Sequence, residues 1–266
     1  MYFRDFSYQI PLVVLFLIVF ILPLQLGAQQ TIGQVVEMKV GEEYLLVKSN
    51  PDQQFYTLTP IDSAYEQGPY ERALIGYRLI QLSQSEIQDS LIYSAEKAGT
   101  YYVGMGHLSS PDTLIYLKDI LAQPIHQFVV REDDTYLGYL TELVNVPFGL
   151  VPWRFGKNSV HQTDMRVLVD CAELAIYGRR RMGQEIPYVG PRGIWKYMEE
   201  LPFDQLRPGD IIHFGDQVSV LYEDVNPIGK LNAEDILIQA FEERVRKVSW
   251  KESGFYGRPY KPLRWK

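Results

Sequence analysis

Cysteine is almost absent from this sequence, since Cys171 is the only one in 266 residues. A chain with one thiol cannot form an internal disulfide, so in an exported protein this thiol is either buried or used chemically. Basic residues are also scarce, 26 against 33 acidic ones, and the net charge is −7. This balance argues against a nucleic-acid partner, which would require a basic face.

The N-terminal segment has the pattern of a secretory signal peptide. Arg4 precedes an apolar run over residues 10–24, and Ala28 ends the segment with a small side chain. These features are typical of exported chains, so we expect cleavage after residue 28 and a periplasmic, cell-surface or secreted protein. The alternative is an uncleaved membrane anchor, because a span needs only about 20 apolar residues. No cysteine directly follows the run, so the residue needed for a bacterial lipid anchor is missing.

Residues 29–131 are expected to form a β-sandwich-like domain. Short, partly alternating apolar runs recur there, with turn signals between them at residues 49–52 and 110–112. Such regular spacing favours an antiparallel sandwich, which would act as a spacer, a wall-binding module or a plain packing domain. The predicted strands cover residues 34–40, 43–48, 55–59, 73–82, 90–95, 100–106, 113–117 and 127–130.

A charged break at residues 131–134 marks the start of a second domain, residues 132–266. Helices are predicted first, and an antiparallel sheet follows them, which is an α+β arrangement. Gly215-Asp216 is a favoured two-residue hairpin turn within that sheet. The predicted helices cover residues 135–144 (capped by Asp133 or Asp134), 171–182 and 192–200, and the predicted strands 211–214, 217–222, 236–241 and 244–250.

The helix that contains the cysteine has clear signals at both ends. Asp170 is a good N-cap, and Gly183 is placed to end the helix. Cys171 therefore lies in the first turn, where the positive end of the helix dipole lowers a thiol pKa and favours a nucleophile. The alternative is that Cys171 is a buried small hydrophobe.

Three segments carry a resemblance to a known family. Residues 152–156 read PWRFG, residues 170–174 read DCAEL, and residues 206–214 read LRPGDIIHF. In this order they resemble the P-Y-x-W-G loop, the D-C-S-G-L helix and the L-x-P-G-D-L-V-F-F strand of the NlpC-type cell-wall endopeptidases, which have a papain-like fold. The resemblance covers roughly residues 135–250. It implies that Cys171 attacks an amide of a peptidoglycan stem peptide, that Trp153 and Asp170 contact the substrate, and that no metal or organic cofactor is needed.

The sequence departs from the family at the general base. The family places a histidine at the start of the next strand, where this chain has Gln217, and a neutral amide cannot accept the thiol proton. Gln239 matches the third polar residue, which orients the base in the family. His161, in the loop before the cysteine, is the predicted substitute base, assisted by the polar group of Gln217 or Gln239. His213 is the weaker choice, because it should pair with Val218 and point away from Gln217.

Three functions remain open on these grounds. The first is an exported cysteine hydrolase that cuts peptidoglycan stem peptides. The second is a catalytically degenerate domain, a pseudoenzyme that binds cell wall or protein, which the glutamine at position 217 supports. The third is an acyl or amide transferase on the same scaffold. The expected partner is peptidoglycan or a peptide, and a membrane only if the N-terminal segment is not cleaved.

Overall fold

The structure is a computed structural model that describes residues 34–61, 76–81, 89–106, 114–116, 125–150, 154–155, 160–225 and 229–266. The expected leader, residues 1–28, lies outside these ranges. Residues Ile32–Lys266 form one compact unit in which strands predominate and helices are few. No helix in the described ranges is long and apolar enough to cross a membrane.

The N-terminal strands follow the predicted runs closely. Six of them form one sheet in the order β1-β8-β6-β3-β4-β7, and β2 pairs with β5 as a separate ribbon. Leu46 and Leu91 of the ribbon share a core with Val103 and Phe128 of the sheet, so the two layers enclose apolar side chains. The strands are β1 (Val35–Lys39), β2 (Glu43–Val47), β3 (Gln54–Pro60), β4 (Gly76–Gln81), β5 (Ser90–Ser94), β6 (Gly99–Gly106), β7 (Leu114–Tyr116) and β8 (Ile125–Arg131).

One pairing in this sheet differs from the expected antiparallel sandwich. Strand β1 runs parallel to β8, with Val36 opposite Phe128 and Met38 opposite Val130. Alternation in a sequence indicates which side chains share a face, but it does not identify the neighbouring strand. The parallel pair places the first described strand beside the last strand of the N-terminal sheet, next to the boundary expected near residue 131.

The C-terminal half places helices before an antiparallel sheet, in the order β11-β16-β12-β13-β14-β15. Helices α1 and α2 pack together in the core on one face of this sheet. Its elements are α1 (Tyr136–Thr141), β9 (Arg154–Phe155), β10 (Val160–His161), α2 (Cys171–Arg181), α3 (Pro191–Ile194), a 3-10 turn (Trp195–Tyr197), β11 (Met198–Glu200), β12 (Ile211–His213), β13 (Val218–Glu223), β14 (Ile236–Phe241), β15 (Arg244–Ser249), a second 3-10 turn (Trp250–Glu252) and β16 (Lys261–Trp265).

Several predicted bounds in this half were wrong. The helix expected at 192–200 is a short α3 and a 3-10 turn, and residues 198–200 form β11 instead. Strand β16 was missed, although it lies between β11 and β12. The N-cap of α1 is Thr135, because its hydroxyl accepts the Gly138 N–H, while Asp133 accepts the Thr135 N–H. Short elements of this kind depend on their neighbours more than on local propensity.

Strand alternation divides the C-terminal sheet into two cores. Val218, Val220, Ile238 and Ala240 belong to the core that contains Cys171. Ile212, Leu221 and Leu237 belong to the core on the opposite face, together with a cluster of aromatic rings. Which face a residue of β13 or β14 occupies therefore decides whether it points toward the cysteine.

Candidate ligand-binding cleft beside Cys171

Helix α2 begins with a capping box, as the sequence predicted for its N-cap. The Asp170 carboxylate accepts the Glu173 N–H at 2.6 Å, and the Glu173 carboxylate accepts the Asp170 N–H at 3.1 Å. Two of the N–H groups that a helix start leaves without intrahelical partners are thereby satisfied. At the other end Gly183 has a φ of 86°, the left-handed conformation expected of a residue that ends a helix. Cys171 is the first residue of this well-defined helix.

The thiol of Cys171 is not activated in this structure. The residue is only 3% exposed, and it lies in the core beside α1 and β13. Burial and then the nearby Asp170 carboxylate raise the pKa of the thiol to about 12, and backbone N–H groups of Val218 and Ala172 oppose this shift without reversing it. The expected lowering by the helix dipole is therefore wrong, because desolvation of the thiolate outweighs it.

The residues at the start of β13 differ from the predicted arrangement. Val218 lies in the same core as Cys171, and its backbone N–H forms a hydrogen bond to the thiol that favours a lower thiol pKa. Gln217 is buried, and its side-chain amide donates to the Ala240 carbonyl at 3.0 Å. The side chain that this segment directs into the core around Cys171 is therefore the apolar Val218. The Gln217 amide instead forms a hydrogen bond to β14.

Gln239 does not reach the face of the sheet on which Cys171 lies. Its neighbours Ile238 and Ala240 point into that core, so alternation directs Gln239 to the opposite face. There its amide donates to the Ser253 carbonyl at 2.9 Å, and its oxygen accepts from the Ser219 hydroxyl at 3.3 Å. The predicted role of Gln239 in orienting a base near the cysteine does not fit this position.

His161 lies at the first turn of α2, as a loop folded over the site would place it. Its Nε2 is 3.3 Å from the Glu173 carboxylate, and its Nδ1 accepts the Thr163 N–H at 3.3 Å. The ring stacks on Tyr188 with centroids 4.2 Å apart. The loop thus brings an imidazole to a residue two positions after Cys171, but both ring nitrogens already have partners there.

The other predicted site residues lie elsewhere. His213 pairs with Val218, as expected, and its Nε2 is 2.9 Å from the Pro191 carbonyl oxygen, while its Nδ1 accepts the Gly215 N–H. Burial lowers the pKa of His213. Trp153 lies outside the described residues.

An open cleft of about 670 Å³ lies beside the N-terminus of α2. Its walls combine charged side chains with a tyrosine and a few apolar groups, while Cys171 is not among the described lining residues. This cleft can hold a small polar ligand next to the helix start. It is lined by Leu150, Val160, His161, Asp164, Asp170, Glu173, Arg180, Pro187, Tyr188, Val189 and Gly190.

Two of the three carboxylates in the cleft are paired with other side chains. Asp164 forms an ion pair with Arg180 at 3.2 Å and accepts the Tyr188 hydroxyl at 2.7 Å. Glu173 faces His161 and also accepts from Thr163 and Gln162.

Asp170 is different, because within the described part of the chain it forms no ion pair. Burial, and then repulsion by Glu173, raise the pKa of its carboxyl group. The cleft therefore contains one carboxylate that a cationic group of a ligand could neutralise.

Sequence reasoning missed several of these lining residues. The D-x-x-E spacing of Asp170 and Glu173 is a capping-box signal, and it could have drawn attention to Glu173. Tyr188 and Asp164 carry no comparable signal, because their proximity arises from the folding of separate loops onto α2. Among the residues the structure describes, no group of three or more His, Cys, Asp or Glu side chains is arranged to hold a metal ion.

Comparison of the chain with protein-family models, with curated proteins and with solved structures found no match. The resemblance to NlpC-type enzymes therefore depends on the three motifs in the sequence.

Proposed function

We propose that residues 132–266 form a catalytically degenerate NlpC-type domain of an exported protein, and that its cleft binds a peptidoglycan stem peptide without cutting it. The observation that carries this proposal is the contrast between the thiol and the cleft. Cys171 is buried with a raised pKa, whereas the open space beside it is lined by Asp170, Glu173 and Tyr188. A cysteine nucleophile must be a thiolate that the substrate can reach, and neither condition is met here.

The charges of the cleft support a peptide ligand with both signs of charge. Asp170 has no ion pair among the described residues, and an ammonium group placed there would favour the charged form of its carboxyl group, which burial and Glu173 disfavour. Arg180 could in turn share its charge between Asp164 and a ligand carboxylate. Stem peptides of peptidoglycan carry both kinds of group, and the motif resemblance implies the same class of molecule.

The hydrolase remains the second candidate, and one observation favours it. Cys171 lies at the start of α2, with the Val218 and Ala172 N–H groups acting on its sulfur. Donors directed at the sulfur favour the thiolate form that attack on an amide requires. This function requires a rearrangement that exposes the thiol and frees an imidazole to accept its proton, and His161 is the nearest predicted base.

One experiment separates these functions. Full-length protein is titrated with a stem tripeptide in a calorimeter, and the same mixture is then examined by mass spectrometry for cleavage. We expect saturable binding and an intact peptide, and we expect Cys171→Ala to bind within about twofold of the unmodified protein. Appearance of a product that depends on Cys171 would establish the hydrolase, and absence of binding would reject the cleft as a stem-peptide site.

The contribution of Asp170 is tested with a matched pair of ligands and variants. Asn is as good an N-cap as Asp, so Asp170→Asn removes the charge but keeps the cap. We expect this variant to lose about tenfold in affinity, of the order found for charge-assisted hydrogen bonds. Acetylation of the peptide's free amine should cause a similar loss in the unmodified protein and little further loss in Asp170→Asn. Equal losses in both proteins would show that the amine does not meet this carboxylate.

A further inference from the structure

The loop of residues 161–168, called the cleft loop below, is attached on one side to α2. Its Thr163 hydroxyl donates to Glu173 at 2.6 Å, and its Gln162 amide donates to the same carboxylate at 3.2 Å. His161 faces the other oxygen of Glu173. These contacts explain how the loop lines the cleft, but they involve only its first three residues.

The second half of the cleft loop is held by the N-terminal sheet. The Gln127 side-chain amide donates to the Met165 carbonyl at 2.9 Å, and the Tyr102 hydroxyl donates to the Arg166 carbonyl at 3.4 Å. Glu37 forms an ion pair with the Arg166 guanidinium at 2.9 Å. The three side chains come from adjacent strands β8, β6 and β1, so the same part of the sheet supplies all three contacts.

Arg166 is the residue on which these contacts converge. It is 6% exposed, and its guanidinium donates to the Tyr177 hydroxyl of α2 at 2.7 Å and to the Asp164 carbonyl at 3.3 Å. Its φ is 54°, a left-handed conformation that a residue with a side chain rarely adopts. Such a conformation persists only where the surroundings enforce it. The contacts to Glu37, Tyr177 and Asp164 provide that enforcement.

A buried carboxylate extends the same network. Glu142 is fully buried; it accepts from the Tyr177 hydroxyl and lies 3.6 Å from Arg166 and 3.2 Å from Arg181. Arg181 in turn pairs with Glu37 at 2.6 Å. The charges that hold the cleft loop are therefore balanced by partners from both halves of the chain, which a spacer domain would not require.

We propose that the N-terminal sheet helps to form the cleft by holding the cleft loop in place. Arg166 and Gln127 are the positioning residues that keep this loop in the conformation that lines the cleft. In this view the sheet is not a spacer, because removal of its contacts deprives the second half of the loop of its hydrogen bonds to Gln127 and Tyr102 and of its ion pair with Glu37. The part of the proposal that concerns ligand affinity rests on the proposed function. The part that concerns the loop does not.

Hydrogen–deuterium exchange in the full-length chain tests the proposal without a ligand. The amides of Met165, Arg166 and Val167 bond to carbonyls within the cleft loop, so they report its opening. In Arg166→Gly, which removes the guanidinium while easing the backbone, we expect these amides to exchange about 10- to 100-fold faster, as loss of hydrogen bonds to a charged group implies. Amides in the middle of α2 should keep their protection. We expect the loop amides of Arg166→Lys to be better protected than those of Arg166→Gly, because a lysine can keep the ion pair with Glu37.

Two further variants make the test specific. Gln127→Leu removes one contact to the cleft loop without a change of charge, and we expect a smaller acceleration confined to the loop. Thr57→Val is the matched control, because the Thr57 hydroxyl donates to the Tyr102 carbonyl, which is a hydrogen bond within the sheet and not to the loop. The proposal is overturned if Arg166→Gly and Gln127→Leu leave loop exchange unchanged, or if loop and α2 amides accelerate equally.

Ligand binding is then measured on the same proteins. A stem tripeptide that binds the unmodified protein should bind Arg166→Gly about tenfold more weakly, because the loop must be ordered again on binding. If no stem peptide binds even the unmodified protein, the proposed function fails, but the exchange result still decides whether the sheet holds the loop.

Discussion

Asp170 and Glu173 hold each other at the start of α2, since each carboxylate accepts the backbone N–H of the other residue. The arrangement caps the helix, but it also places two acidic groups side by side next to Cys171. Both the raised pKa of the thiol and the raised pKa of Asp170 have burial as their main cause and this crowding of negative charge as the second. The helix start is therefore stable as a structure and unfavourable for a thiolate.

Replacement of Asp170 should separate its cap from its charge. We expect Asp170→Ala to lower the free energy of unfolding by about 1 kcal/mol through loss of the cap, and Asp170→Asn to retain it. The raised folded-state pKa means that the native carboxyl group binds a proton more tightly than the unfolded one, so its contribution to stability is lost as pH rises above 3.8. Urea unfolding from pH 4 to 8 should show this slope in the unmodified protein and a weaker one in Asp170→Asn.

The thiol of Cys171 should be unreactive while the chain is folded. Because burial raises its pKa to about 12, very little thiolate exists at neutral pH. We expect alkylation by iodoacetamide to be slow in the native protein and to reach the ordinary rate of a free thiol, with a pKa of about 8.5, in urea. Rapid alkylation of the native protein at pH 7 would instead support the hydrolase.

His126 should make the protein sensitive to acid. It is fully buried, and neither ring nitrogen has a hydrogen-bond partner in the structure as described. Burial lowers its pKa below the usual 6.5, so the unfolded chain takes up a proton first and stability is lost as pH falls below that value. We expect His126→Phe to reduce this loss. An unchanged pH profile in the variant would assign the acid sensitivity to other groups.

Gly178 of α2 lies close against α1. A Cβ atom there would lie 2.7 Å from the Tyr136 ring and 2.8 Å from Leu140. We expect Gly178→Ala to destabilise the protein by about 1–3 kcal/mol through overpacking, although alanine alone would favour the helix by about 1 kcal/mol. Gly190→Ala is the control, because a Cβ there meets no atom within 4 Å and the φ of −67° suits alanine. Thermal unfolding of both variants checks the difference.

Much of the fold was readable from local pattern. The N-terminal runs predicted as strands all contain strands, β14 has the predicted bounds, and α2 begins after Asp170 as its cap signal indicated. These features depend on alternation, capping and turn chemistry within a few residues. Strand β16 and the parallel pair of β1 with β8 were not readable in this way, since each requires a partner that is distant in sequence.

In the candidate site, too, some features follow from the local sequence and others from the tertiary structure. The sequence by itself determined that one thiol stands at the N-terminus of a capped helix and that Gln217 occupies the position at which the NlpC-type motif has its histidine. Only the tertiary structure decided that this thiol is buried, that Gln239 points to the other face of the sheet, and that Asp164, Tyr188 and Arg180 meet beside it. The physical reason is that a cap or a turn is set by neighbouring residues, whereas desolvation and the composition of a cleft are set by whatever the rest of the chain packs against them.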